Sequence, residues 1–138
     1  MSEASRRRIV IAEDDEFTLE LLVTQLELAG YQTFSARDGR EALEVIESAR
    51  AHAVVLDIGL PLMDGFEVLR QLRANHQFRS IPVLVLAARQ SAQEVRRAVE
   101  LGAQDYMTKP FDAERLLDCI SRLITGARAA EVRAARKR

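Results

Sequence analysis

Short apolar runs alternate with amphipathic stretches along this chain. Ile9-Val10-Ile11-Ala12 predicts a first strand over 8–12. The nearly all-apolar stretch from His52 to Asp57 predicts a third over 52–57, as expected of a strand covered on both faces. Residues 31–36 alternate apolar with polar, which marks a second strand at the outside of a sheet. Residues 81–86 and 103–108 read as the fourth and fifth strands. A first helix over 16–29 takes its apolar positions from Phe17, Leu21, Leu22, Leu26 and Leu28 and stops at Gly30. Asp38-Gly39 turns the chain into a second helix marked by Ala42, Leu43, Val45 and Ile46. Phe66, Val68, Leu69 and Leu72 mark a third, and Val95, Ala98 and Val99 share one face of a fourth over 91–101. Asp112 caps a fifth, with Leu116, Leu117, Ile120, Leu123 and Ile124 as its core stripe. Strict alternation of strand and helix predicts an α/β fold built on a parallel sheet.

The spacing of threes and fours in the last helix runs on through Ala127, Ala130 and Ala134. Gly126 interrupts it at a cost of about 1 kcal/mol relative to alanine. This segment reads either as a signalling helix leading onward or as an alanine-rich frayed tail. It is also basic: Arg128, Arg133, Arg136, Lys137 and Arg138 oppose only Glu131, which the net charge of -1 conceals. Arg6-Arg7-Arg8 forms a second basic cluster. Both are expected to be solvated flanks, the alternative being attachment to an acidic surface. The chain of 138 residues therefore divides into a basic extension (1–7), one domain (8–125) and a basic, helical extension or linker (126–138).

Cys119 is the only cysteine, so no internal disulfide can form and a reducing compartment is expected. It lies beside the last helix's apolar stripe and reads as a small core-edge residue. No apolar run reaches the length of a membrane span and no signal peptide is visible, which predicts a cytoplasmic protein.

The chemistry is carried by acids at strand ends. Glu13-Asp14-Asp15 follows the first strand and Asp57 ends the third. In a parallel sheet both strands end at one edge, so these carboxylates converge. Clustered like charges need a cation, and an all-oxygen donor set favours Mg²⁺ or Mn²⁺ over zinc. Lys109, after the fifth strand, adds a positive charge at the same edge. Metal, carboxylate and lysine together suit phosphoryl transfer. His52 and His76 lack metal-ligand spacing and are read as structural.

These motifs, in this order, resemble the CheY-like receiver domain of two-component response regulators. The resemblance runs over residues 8–125 and rests on Ile9 to Asp15, on Asp57 with Pro61 and Gly65, and on Gly102-Ala103 through Tyr106 to Lys109-Pro110-Phe111. It implies a flavodoxin-like (βα)5 fold, a single five-stranded parallel sheet in order 2-1-3-4-5 with helices on both faces. It further implies that Asp57 accepts the phosphoryl group. Asp14 would touch Mg²⁺ directly, Glu13 through water, and Gly59 through its backbone carbonyl. Asp15 is instead read as an acid at the start of the first helix. Lys109 and the backbone amide of Ala88 would bind phosphoryl oxygens, and Lys109-Pro110 is a candidate cis peptide. The implied partners are a sensor histidine kinase or histidine phosphotransfer protein, and downstream an unknown protein or C-terminal output domain. The implied output face is helix 4, strand 5 and helix 5. The receiver itself would bind no nucleic acid or membrane. Arg97, Glu100, Asp105 and Arg122 could pair on that face, but Cys119 occupies a position where relatives often carry arginine, so a monomer or weak dimer is expected.

One position departs from the family pattern. Ala87 stands where a threonine or serine hydroxyl usually binds the phosphoryl group and couples it to the aromatic at Tyr106. Loss of one hydrogen bond to a charged group, typically about 1.5–3 kcal/mol, predicts atypical switching. A phosphate sink or a phosphorylation-independent binding module is the alternative. Gly59 leaves the acceptor open to water, while Arg89 across the pocket would partly cover it. A separate enzyme is not expected, because Asp57-Ile58-Gly59 lacks a second acid to protonate a leaving group as an aspartyl phosphohydrolase would. A flavin module is disfavoured by the acidic mouth.

Overall fold

The computed structural model describes residues 6–88 and 92–136, with side chains described as far as 126. The first five residues, Arg89 and the side chains of the basic tail lie outside the described residues. Strands and helices alternate as β1 (Arg8–Ala12), α1 (Glu16–Leu28), β2 (Gln32–Ala36), α2 (Gly39–Ala49), β3 (Ala53–Asp57), α3 (Gly65–Ala74), β4 (Val83–Ala87), α4 (Ala92–Glu100), β5 (Asp105–Thr108) and α5 (Ala113–Arg136). All strand pairs are parallel, in the order β2-β1-β3-β4-β5. This is the flavodoxin-like arrangement predicted above.

The two-residue period of the strands divides the core in two. Val10, Val54, Leu56, Val83 and Val85 face α2, α3 and α4, meeting Ile46, Phe66, Leu69 and Ala98. Ile9, Ile11, Val55, Leu84 and Leu86 face α1 and α5, meeting Leu22, Leu26, Leu116 and Ile120. β3 and β4 are buried at every residue, which is why their sequences show no polar alternation.

Several boundaries move by one or two residues, for local reasons. β4 begins at Val83 because Pro82 has no N–H to donate, although its carbonyl accepts the Val54 N–H at 3.0 Å. β5 begins at Asp105 because the chain is still turning at Gly102, whose φ is +96°. In α1 the buried stripe is Leu19, Leu22 and Leu26. Phe17 and Leu28 fall off it and are 74% and 84% exposed. Val99 of α4 is likewise turned outward, at 58%, leaving Ala98 as that helix's buried residue. In α5 the buried positions are Leu116, Cys119 and Ile120, with Leu117, Leu123 and Ile124 only partly covered. The helix passes Gly126 and continues to Arg136.

Aspartates cap four helices at their N-termini. Asp15, Asp38, Asp64 and Asp112 accept the N–H groups of Thr18, Glu41, Glu67 and Arg115 at 2.8–2.9 Å. Such caps are worth about 0.5–2 kcal/mol each. In a parallel α/β fold these helix starts lie at the carboxyl edge of the sheet, where the acidic positions converge.

Candidate functional site

Register brings the site together. Ala12 of β1 lies opposite Leu56 of β3, so Glu13 follows one strand where Asp57 ends the other. Glu13 is fully buried, held by its own N–H to the Ala36 carbonyl at 3.0 Å. Its Oε2 accepts the Asp15 N–H at 3.0 Å. Its Oε1 lies 2.5 Å from Nζ of Lys109, a close buried ion pair in which the ammonium donates to the carboxylate. Asp57 is also buried; Oδ2 lies 3.4 Å from the same Nζ, and Oδ1 accepts the Gly59 N–H at 3.1 Å. Asp14 is exposed at the mouth. The carboxylate oxygens of Glu13, Asp14 and Asp57 approach within 4.8 Å of one another.

The electrostatics follow from this crowding. Burial raises the Glu13 carboxyl above its ordinary value, and the charge of Asp57 adds to it. Pairing with Lys109 and the Asp15 N–H pull the other way without prevailing. Burial alone would lower the Lys109 ammonium, but Glu13 and Asp57 outweigh it and hold the lysine above its usual range. Asp15 is held low by the hydroxyl and amide of Thr18, which accounts for it as a helix cap apart from the cluster. One ammonium thus pairs with two of the three clustered carboxylates. An all-oxygen set with surplus negative charge fits a hard divalent cation.

Lys109 is anchored by its own N–H to the Ala87 carbonyl at 2.9 Å, and the Lys109–Pro110 peptide is cis. Ala87 is buried at the end of β4, and Ala88 is exposed beyond it. Tyr106 is half-buried on β5 and packs against the α2–α4 side of the core. With Ala92, Val95 and Arg96 of α4 it lines a surface depression of about 560 Å³.

The structure also supplies relations that the sequence pattern does not reveal. Periodicity places Lys109 at the site edge but cannot show that it contacts Glu13 more closely than Asp57. Of the charges named above for a paired face, Arg97 lies over the Phe66 ring at 4.3 Å and Arg122 sits 3.5 Å from Asp118. Asp105 accepts from the Cys119 thiol at 3.1 Å. His52 accepts the Arg8 N–H through Nδ1 at 2.9 Å, a structural tie, and His76 lies beside Arg79 at the surface.

Residues 9–121 match the response regulator receiver domain, and the chain belongs to that family. Domains of this family are the phosphoryl-accepting modules of two-component systems. They interact with histidine kinases and output domains and are generally not separate enzymes. Among named relatives, the response regulators MprA of Mycolicibacterium vanbaalenii and Mycobacterium ulcerans are each 46% identical over 110 residues. That alignment covers 80% of this chain and 47% of theirs, so the chain spans about half the length of these relatives. The receiver domain of a signal transduction histidine kinase from Syntrophus aciditrophicus is 36% identical, with a TM-score of 0.80 over 87% of this chain and 91% of its own. A sensor histidine kinase receiver domain from Pseudomonas aeruginosa is 27% identical, with a TM-score of 0.81 over 88% of this chain and 99% of its own. That domain was crystallised with a magnesium ion coordinated in its active site cleft. Among the described residues of the present chain, no helix is long and apolar enough to cross a membrane.

Proposed function

We propose that this chain is a receiver in which Asp57 takes a phosphoryl group from a phosphohistidine on a sensor histidine kinase or histidine phosphotransfer protein. The observation that carries the reading is the convergence of Glu13, Asp14 and Asp57 on one pocket, with the Lys109 ammonium paired to Glu13 and Asp57. A carboxylate oxygen of Asp57 attacks phosphorus, the new P–O bond forms, and the bond to the donor nitrogen breaks with its electron pair leaving on the imidazole. Lys109 shifts from sharing Glu13 and Asp57 to neutralising phosphoryl oxygens, and the Ala88 amide donates to one of them. Asp14, Asp57 and the Gly59 carbonyl would hold Mg²⁺ or Mn²⁺, with Glu13 behind them. When bound, the ion offsets the charge of the transferring group. Catalysis is then mostly positioning and electrostatics.

The signal would leave through α4, β5 and α5 toward a downstream protein or C-terminal output domain. Ala87 makes the switch atypical, because no hydroxyl ties the phosphoryl group to the end of β4 and so to Tyr106. A second reading rests on that same alanine: a phosphate sink, or a phosphorylation-independent binding module of the same fold. The working unit is residues 8–125, with 1–7 and 126–138 as extensions, acting in the cytoplasm as a monomer or weak dimer.

The test is intact mass after incubation with Mg²⁺ and a small acyl phosphate. A gain of one phosphoryl group in the unaltered chain and none in Asp57→Asn is expected. A gain retained in Asp57→Asn would remove Asp57 from its role.

A further inference from the structure

The loop between β3 and α3 carries one exposed leucine in a conformation that leucine disfavours. Leu62 has φ of +68° and is 81% exposed. The Met63 N–H reaches back to the Pro61 carbonyl at 2.7 Å, so residues 61–63 form a tight γ-turn. A non-glycine residue at positive φ persists only where its surroundings over-determine it. The base of the loop is closed by the Gly65 N–H to the Ile58 carbonyl at 3.0 Å. A Cβ at Gly65 would lie 2.6 Å from the Asp57 carbonyl oxygen, so this closure presses directly on the acceptor's own backbone.

The apex is held from another element. Gly39, the first residue of α2, directs its N–H at the same Pro61 carbonyl, at 3.4 Å. Met63 packs so tightly on Gly39 that a Cβ there would overlap the Met63 carbonyl oxygen and sit 2.7 Å from its Cβ. No side chain larger than hydrogen fits unless the loop retreats. Met63 is backed in turn by the Gln71 side-chain amide, 3.9 Å from its sulfur.

We propose that Gly39 is a positioning residue for metal binding: by letting α2 clamp the 61–63 turn, it fixes the loop that begins at Gly59 beside Asp57. The inference rests on the reading, given above, that the Gly59 carbonyl is a metal ligand. Residues that orient ligands in this way typically change metal affinity about 10- to 100-fold when altered. The clamp acts through backbone position, so it shows in Mg²⁺ affinity measured without any phosphoryl donor.

The experiment is calorimetric titration of the full chain with Mg²⁺ alone. Gly39→Ala is expected to raise the Mg²⁺ Kd about 10-fold or more. Pro61→Gly adds no atoms and loosens the same apex, so it keeps the question open to decision where Gly39→Ala does not fold. It is expected to raise the Kd at least about threefold. Leu43→Ala removes core packing from the same helix without crowding the loop and is expected to leave Kd within about twofold. A folded Gly39→Ala with Kd unchanged overturns the inference, as does an unchanged Pro61→Gly or an equal loss in Leu43→Ala. Failure of the unaltered chain to bind Mg²⁺ at all overturns the metal reading, and this inference with it. Binding there, with unchanged variants, overturns the clamp alone.

Discussion

Ala87 ends β4 one residue beyond Leu86, the register partner of Asp57, and its side chain stops at a methyl. Restoring a hydroxyl by Ala87→Thr would add a donor for a phosphoryl oxygen, worth about 1.5–3 kcal/mol. That shifts the ratio of active to inactive conformers about 10- to 150-fold in the phosphorylated protein. The population read from the ring resonances of Tyr106 checks this, and an unchanged population would mean that the absent hydroxyl is irrelevant here. Cys119 makes a different residue-level prediction. It is 2% exposed, and burial, with Asp105 beside it, pushes its thiol up to about 12 from an ordinary 9.0. The folded state therefore keeps a proton that the unfolded chain releases. Stability from this group is fully present below about pH 9 and declines above it. Alkylation of the native thiol at pH 8 should be at least about 100-fold slower than in urea-unfolded chain. Equal rates would show that Cys119 is not held in the core.

At the scale of elements, α4 is fastened to α3 and to the turn beyond it. Arg97 of α4 covers the Phe66 ring at the start of α3. Arg73 of α3 donates to the Gly102 carbonyl at 2.7 Å, to the Phe78 and Arg79 carbonyls at 3.3 and 3.2 Å, and to Gln104 Oε1 at 3.0 Å. That same Gln104 oxygen accepts the Val83 N–H, so one guanidinium ties a helix, two turns and the first residue of β4. Arg73→Ala strands several partly buried acceptors and should cost about 2–4 kcal/mol in urea unfolding. Arg73→Lys should recover little, because an ammonium cannot span the same fork. A loss below about 0.5 kcal/mol would show that these bonds are replaced by water. Arg73 was not legible in the sequence, since an arginine on a helix ordinarily reads as surface. The strands were legible, because β1, β3 and β4 are buried on both faces and need unbroken apolar runs. The stripe of α1 was less so: apolar residues surround that helix, and only packing distinguishes Leu19 from Phe17. Among site residues, convergence of the acids followed from parallel strands sharing an edge. The grip of Gly39 on Met63 did not, because it depends on a backbone approach that no periodicity encodes.

For the molecule as a whole, two routes of access to Asp57 can be separated. On the function proposed above, a small acyl phosphate would need only the pocket formed by Glu13, Asp14, Asp57 and Lys109. A protein donor must also seat a surface against the rim. Phe17 and Leu21 lie one turn apart on α1, immediately after the acidic cluster, and both are exposed. Apolar side chains that fold without burial are available to a partner, and burying a phenylalanine is worth about 1.5–3 kcal/mol. Phe17→Ala should therefore lower the efficiency of transfer from a phosphohistidine protein about 10- to 100-fold, with a smaller loss for Leu21→Ala. Labelling by the small donor should remain within about twofold for both, and Tm should shift by no more than about 3 °C, since both side chains are exposed. Loss of labelling from both donors would place Phe17 in the integrity of the site itself. Retention of both would move the donor's footprint away from α1 and toward the loops around Leu62 and Pro110. The paired measurement thus distinguishes a defect in chemistry from a defect in encounter, using one substitution that leaves every carboxylate and the lysine in place.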